Sequence, residues 1–238
     1  MKRIRFEDLI IFENDNYVVV NKPPRFSTLD DRHEDTSVLS LAKAHDEELQ
    51  ACHRLDKDTS GALVFAKNPE AYRNLSIQFE KRQVNKVYHA VIDGLHEYHD
   101  KVCELPILPL KHGVVKIDYS KGKPAETLFN TLEGYKRHTL VEARPRTGRM
   151  HQIRIHLAAM RTPITGDTRY GGKELFLSEI KKKYNIGRYV EEQPLIGRFA
   201  LHAKSIEFKD VDGKVIFVEA PYPKDFRVLI KQLDKNRR

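Results

Sequence analysis

Cysteine is nearly absent from this 238-residue chain: the two present, Cys52 and Cys103, stand far apart. That excludes a disulfide framework and a cysteine-based zinc site, whose ligands recur at short spacings, and it suits ordinary thiols in a reducing compartment. Long apolar runs are missing too. The N-terminal stretch Met1 to Asp8 is charged without the apolar segment of a signal peptide, and nothing later approaches the length of a membrane span, so a cytoplasmic location is expected. Glycine and proline, 12 and 11 residues, are scattered rather than clustered, and no repeat or low-complexity tract appears. Nothing therefore reads as a linker, and residues 1–238 are expected to form one domain, long enough to bury a substantial core.

What the chain has in excess is positive charge. Lysine plus arginine number 42 against 34 aspartate plus glutamate, a formal net charge of +8. A polyanionic partner fits that balance, but charge alone does not select RNA. The tracts Lys181-Lys182-Lys183 and Lys235 to Arg238 read as solvated surface rather than as a readout element. The pair His96 and His99 lies in a charged stretch and is too weak a signal for a metal site.

Apolar periodicity recurs from end to end. Ile10-Ile11-Phe12 and Tyr17-Val18-Val19-Val20 flank Glu13 to Asn16 as a hairpin whose second arm is buried on both faces. Val38, Leu41, Ala42, His45 and Leu49 follow helical spacing. A second helix has Asn68 as cap, Pro69 in its first turn, and Tyr72, Leu75 and Phe79 on one apolar face. From Lys86 to Glu142 short β-rich runs alternate with turns: Val87 to Ile92, Val114 to Tyr119, Glu126 to Leu132 and Thr139 to Ala143. A helix carrying Ile153, Leu157 and Met160 follows, then strands at Ala200 to Phe208 and Val215 to Glu219, and a closing helix with Phe226, Leu229, Ile230 and Leu233. Without a steady strand-helix-strand repeat, the fold expected is α+β, with a large mixed, mostly antiparallel sheet flanked by helices.

Two segments carry the chemistry. In His53-Arg54-Leu55-Asp56-Lys57-Asp58-Thr59-Ser60-Gly61 a carboxylate, Asp56, sits between an arginine and a turn, just ahead of the wholly apolar Ala62-Leu63-Val64-Phe65-Ala66. A strand buried on both faces holds the loop that enters it firmly enough to aim a side chain. A structural turn, with Asp56 or Asp58 capping backbone amides, is the plain alternative. A calcium loop is a poorer one, because the twelfth position that needs a bidentate glutamate is Lys67. The second segment, Arg146 to Leu157, runs from a turn into a helix. His151 and Arg154 share a helical face, Arg149 stands at the entry, and Ile153 and Leu157 face the core. A solvated basic face with a packed histidine is the alternative there.

Together the segments resemble the RluA family of pseudouridine synthases. The family's His-Arg-Leu-Asp-x-x-Thr-Ser-Gly is met in full by residues 53–61, and its Thr-Gly-Arg-x-His-Gln-Ile-Arg by residues 147–154. Asn21-Lys22-Pro23, Lys86-Val87-Tyr88, Gly166-Asp167 with Tyr170-Gly171, Arg198 with Ala200 to Ala203, and the ending Ala220 to Phe226 agree in order and type. The resemblance implies an isomerase that breaks the bond between uracil N1 and ribose, turns the bound base and rejoins the sugar to C5, with no cofactor and no metal. It implies Asp56 as the essential carboxylate, acting as nucleophile or as a base promoting elimination, and it pairs Arg154 with that aspartate. Tyr88 matches the tyrosine stacked on the target base, and Arg54 the arginine filling the space a flipped nucleotide vacates. Arg149, His151 and Gln152 are expected to bind substrate. Ribosomal or transfer RNA is the implied partner, and a monomer the default. An RNA-binding or folding factor with vestigial catalysis is the rival, although pure binding has no use for a buried carboxylate.

One departure stands out: Arg25 occupies the position where the family's Asn-Lys-Pro-x-Gly has glycine, so a different bend is expected there. Since only about twenty residues precede Asn21, no N-terminal accessory RNA-binding domain is expected.

Overall fold

The computed structural model describes residues 4–30, 36–182, 184 and 191–237. Lys183 and Arg238 of the two basic tracts, and Met1 to Arg3, lie outside the described residues. In chain order the elements are β1 (Ile10–Glu13), β2 (Tyr17–Lys22), α1 (Val38–His45), β3 (Gln50–Ala51), β4 (Ser60–Ala66), α2 (Pro69–Glu80), β5 (Asn85–Asp93), β6 (Lys101–Cys103), β7 (Ile107–Pro109), β8 (Val115–Ile117), β9 (Thr127–Gly134), β10 (His138–Pro145), α3 (Gln152–Ala159), α4 (Leu177–Ile180), β11 (Leu201–Lys209), β12 (Val215–Glu219) and α5 (Lys224–Lys235). They make an α+β fold, a mixed, mostly antiparallel sheet flanked by helices. Two compact units are distinguished: Met1–Val87 with His202–Tyr222, and Tyr88–Leu201 with Pro223–Arg238.

In the first unit β1 and β2 form the expected hairpin, its turn closed by Asn14, whose Oδ1 accepts the amides of Asn16 and Tyr17. β2 continues antiparallel onto β4, which runs parallel to β11, and β12 returns antiparallel on β11. All seven residues of β4 are buried, as its unbroken apolar run requires. Tyr17, Val19, Val64, Ile206, Phe208 and Val218 pack with Ala71 and Leu75 of α2 into a core. Asn68 caps α2 by accepting the Ala71 amide, with Pro69 in the first turn. The buried face of α2 is Ala71, Leu75 and Gln78, whereas Tyr72 stays 38% exposed, against expectation. Gln78 displaces it because its amide forks onto the Lys209 backbone, donating to the carbonyl at 2.7 Å and accepting the amide at 2.8 Å. α1 likewise stops at His45, short of Leu49. The Asp46 carboxylate accepts the Glu48 amide in a local turn that ends the helix, and Leu49 reaches the core from beyond it.

In the second unit β5, β10, β9 and β6 lie side by side, all antiparallel, and β7 pairs with β8. The short β6 and β7 were not expected. α3 is buried almost all round, through Gln152, Ile153, Arg154, His156 and Leu157, and ends one residue before Met160. α5 buries Phe226, Leu229 and Leu233.

Candidate active site

The Asp56 loop is fixed from below by backbone hydrogen bonds. Leu55, 5% exposed, exchanges two bonds with the Thr28 hydroxyl, which accepts the Leu55 amide at 3.0 Å and donates to its carbonyl at 2.9 Å. The Asp56 carbonyl accepts the Thr59 amide at 3.0 Å and closes a turn. Beneath that turn lies Lys22, fully buried, whose Nζ donates to the carbonyls of Pro23, Phe26 and Lys57 at 3.0, 2.6 and 2.8 Å. A buried ammonium ties one loop to the other by three charge-assisted bonds. Asp56 is left half-buried and Arg54 exposed on this frame.

The strand behind the loop is held as closely. Gly61 has φ +115°, and a Cβ there would stand 2.1 Å from the Ala203 carbonyl oxygen, so the parallel contact of β4 with β11 admits nothing larger. Ser60 bonds His202 Nδ1 at 2.9 Å, while His202 Nε2 faces the Ala220 carbonyl at 3.1 Å, which makes His202 a structural brace. The Val64 amide donates to His53 Nε2 at 3.1 Å. Desolvation and the nearby Lys86 push His53 down to about 3, so the ring is neutral and able to accept. Lys67, the residue that weakened the calcium reading, bonds Glu13 and the Asn14 carbonyl at the β1–β2 turn.

The second segment is built around Gln152, 4% exposed. Its Oε1 accepts the Thr147 hydroxyl at 2.7 Å and the Arg149 amide at 3.0 Å, and its Nε2 donates to the Glu126 carbonyl and the Thr127 hydroxyl. All four hydrogen-bonding positions of that amide are met inside the protein. His151 precedes the helix rather than standing within it, in the left-handed region at φ 54°. Its Nδ1 lies 2.8 Å from the Tyr170 hydroxyl, which also accepts the Val115 amide. Arg154 meets the same tyrosine from the other side, its guanidinium 5.0 Å from the Tyr170 ring and 4.0 Å from that of Phe199. Nε and Nη2 of Arg154 donate to the two oxygens of Asp167 at 2.7 and 2.8 Å, in an ion pair whose side chains are 6% and 2% exposed. Arg149 donates through Nε to the Pro124 carbonyl, and Tyr88 lies half-buried in β5 opposite Ala143.

Arg54 and Asp56 thus share one loop of the first unit. Arg149, His151, Gln152 and Arg154 line one turn and helix of the second, to which Tyr88 also belongs. Three residues of this frame were given no role from the sequence: Lys22, Asp167 and Tyr170. Each falls in a short family-like element, Asn21-Lys22-Pro23 or Gly166-Asp167 with Tyr170-Gly171, and that company was the available signal. Among the described residues no group of three or more His, Cys, Asp or Glu side chains is arranged to hold a metal ion. No helix among them is long and apolar enough to cross a membrane.

Residues 16–159 match the family described as RNA pseudouridylate synthase. A ribosomal large subunit pseudouridine synthase C of Buchnera aphidicola subsp. Baizongia pistaciae is 34% identical over 242 residues, covering 97% of this chain and 72% of that protein. The protein of the same name from Escherichia coli K12 is 33% identical over 238 residues, covering 97% and 71%. Among solved structures, human RNA pseudouridylate synthase domain containing 4 superposes with a TM-score of 0.75 at 25% identity, over 96% of this chain and 94% of that one. The chain belongs to the RNA pseudouridylate synthase family, as its likeness to the RluA-type enzymes led us to expect. It is an RNA-modifying isomerase, and RNA is its partner.

Proposed function

We propose that this enzyme converts uridine to pseudouridine in the RNA of the large ribosomal subunit, with Asp56 as the essential carboxylate. In the reaction the N1–C1′ bond breaks, the base turns, C1′ bonds to C5, and the hydrogen lost from C5 is balanced by one gained at N1. Asp56 serves either by attack or by promoting elimination, and both routes need it as a carboxylate. Arg154, held in its rotamer by Asp167, is the basic catalytic residue, supplying positive charge toward the detached uracil. Tyr88 stacks on the target base. Arg54 occupies the place of the flipped nucleotide, Arg149 and His151 bind the RNA around it, and Gln152 braces the turn that presents them. A cytoplasmic location goes with a ribosomal substrate.

The observation that carries the reading is the clamping of the Asp56 turn by Lys22 and Thr28, which fixes a half-buried acid far more rigidly than a surface turn requires. The large-subunit assignment is supported by the relatives' substrate. Asp56→Asn keeps the shape and removes the carboxylate; it is expected to abolish pseudouridine formation while RNA binding persists. Turnover retained in that variant refutes the assignment of Asp56. Pseudouridine mapping of total RNA from cells with and without the gene tests the substrate: sites lost from transfer RNA alone would overturn the ribosomal reading.

A further inference from the structure

Arg25, where a different bend was expected, keeps at φ 67° the left-handed backbone that glycine favours. Tyr119 departs further from expectation. The run Val114 to Tyr119 has a strand's composition, yet β8 stops at Ile117 and Tyr119 stands on the turn beyond it. Its ring is 80% exposed, more than any other large apolar side chain among the described residues. The turn beneath it is tightly built. Asp118 Oδ1 accepts the amides of Ser120 and Lys121 at 3.0 and 2.9 Å and the Ser120 hydroxyl at 2.9 Å, while Lys116 Nζ meets Oδ2 at 2.9 Å. The Asp118 amide donates to the Pro106 carbonyl, the Gly122 amide to the Asp118 carbonyl, and Ile107 and Lys123 exchange two backbone bonds.

The surroundings suit an unpaired strand of RNA. Lys111, Lys116, Lys121 and Lys123 are exposed along this hairpin and its continuation, and Asp118 is the only acid from Ile107 to Ala125. Arg169 donates to the Gly113 carbonyl and Arg149 to that of Pro124, which brings two more cations against the same segment. The hairpin is also seated on the turn that carries Arg149 and His151. Ile107, Val115 and Ala125 pack with Met150, Ile155 and Tyr170, and the Tyr170 hydroxyl bonds both the Val115 amide and His151. Cations for phosphates and an aromatic face for a base thus stand together on a frame that need not be ordered on binding.

We propose that Tyr119 stacks on an unpaired base of the RNA, outside the nucleotide being isomerised, with Lys121 and Lys123 on the flanking phosphates. Every base has a π-face, so the contact selects unpaired strand over duplex rather than a letter of sequence. The inference rests on Arg149 and His151 binding RNA, since the hairpin is mounted on their turn.

Binding is read with the full chain in an Asp56→Asn background, against large-subunit ribosomal RNA and transfer RNA from a strain lacking the gene. Tyr119→Ala is expected to weaken binding about fivefold to a hundredfold, and Tyr119→Phe by less than about twofold. Because the ring is uncharged, both variants should keep the parent's dependence of log affinity on log salt. Replacing Lys121 and Lys123 together by alanine should instead flatten that dependence by about 1.4, as for two phosphates of a single strand. With Asp56 restored, Tyr119→Ala should raise KM and leave kcat within about twofold. The chain has no tryptophan, so Tyr119→Trp installs a single reporter, whose emission should be quenched by the bound RNA and not by a fully paired RNA duplex. Melting temperatures should stay within about 1–2 °C of the parent, as fits a side chain standing in water. Which of the two RNAs is modified bears on the ribosomal reading alone. Full affinity in Arg149→Ala withdraws that residue's role, and the tyrosine variants still decide the stacking. Unchanged RNA affinity in Tyr119→Ala overturns the proposal, and is what a turn serving another protein would give. So does a loss that flattens the salt slope, a loss that comes with a lowered melting temperature, or a tryptophan whose emission the RNA leaves unchanged.

Discussion

Arg154 and Asp167 show how the side chain proposed for catalysis is fixed by another that never need touch substrate. Each is costly to bury alone, and the two-point geometry at 2.7 and 2.8 Å, with Phe199 and Tyr170 on the guanidinium faces, offsets that desolvation. Removing one partner leaves the other charged and dry. Asp167→Asn should therefore lower unfolding free energy by about 2–4 kcal/mol in urea titrations. It should also reduce kcat more than tenfold with a smaller change in KM, because a guanidinium with one anchor no longer holds its aim. Full kcat in a folded Asp167→Asn enzyme would restrict Asp167 to stability. This pair was invisible in the sequence for a plain reason: Arg154 was paired with Asp56 by motif alone, while Asp167 arrives through a loop that carries no periodicity. Lys22 escaped similarly, since a fully buried lysine runs against every composition-based expectation.

At the level of elements, what could be read depended on how local the determinant was. α2 was legible because Asn68 and Pro69 announce it from within four residues, and β4 because an apolar run has one reading when it is short and bounded by turns. The end of α1 and the buried face of α2 were misread where a polar side chain, Asp46 or Gln78, bonded backbone and overrode the apolar pattern. β6 and β7 hold three residues each, too few for a period to register. Gly61 joins these levels, since it sits in the motif, on a positive φ, and against the neighbouring strand. Gly61→Ala must move Ala203 or break the pairing of β4 with β11, and should cost about 3–5 kcal/mol. Gly213→Ala is the control: its φ is +86° but a Cβ there would meet nothing within 4 Å, so it should cost about 1 kcal/mol. Equal urea midpoints for the two variants would show that the close approach to Ala203 contributes nothing beyond the dihedral.

For the whole molecule, composition set the partner's sign and the motifs set the chemistry, yet neither foretold how stability would depend on pH. That dependence follows from His53, neutral and accepting the Val64 amide, with Lys86 nearby and the Phe79 ring 5.2 Å away. The ring titrates near 6.5 in an unfolded chain and at about 3 in the folded one. Between those values the unfolded state binds the extra proton, so stability falls as pH drops through 6.5 and stops falling from this cause only near 3. Lys86, lowered by burial to about 8 from 10.5, behaves in the same sense at the other end, and stability gains as pH rises from about 8 to 10.5. Carboxylates titrate in the acid range as well, so the histidine must be isolated by difference. His53→Gln retains an acceptor for the Val64 amide but cannot take up a proton. Unfolding free energies of the two proteins, measured in urea between about pH 6 and pH 4, should shift by about 1.4 kcal/mol per pH unit in favour of the variant as acid is added. Parallel curves over that range would mean that His53 is protonated as readily in the fold as outside it. Since a protonated Nε2 cannot accept the Val64 amide, that hydrogen bond to β4 would then add nothing to stability.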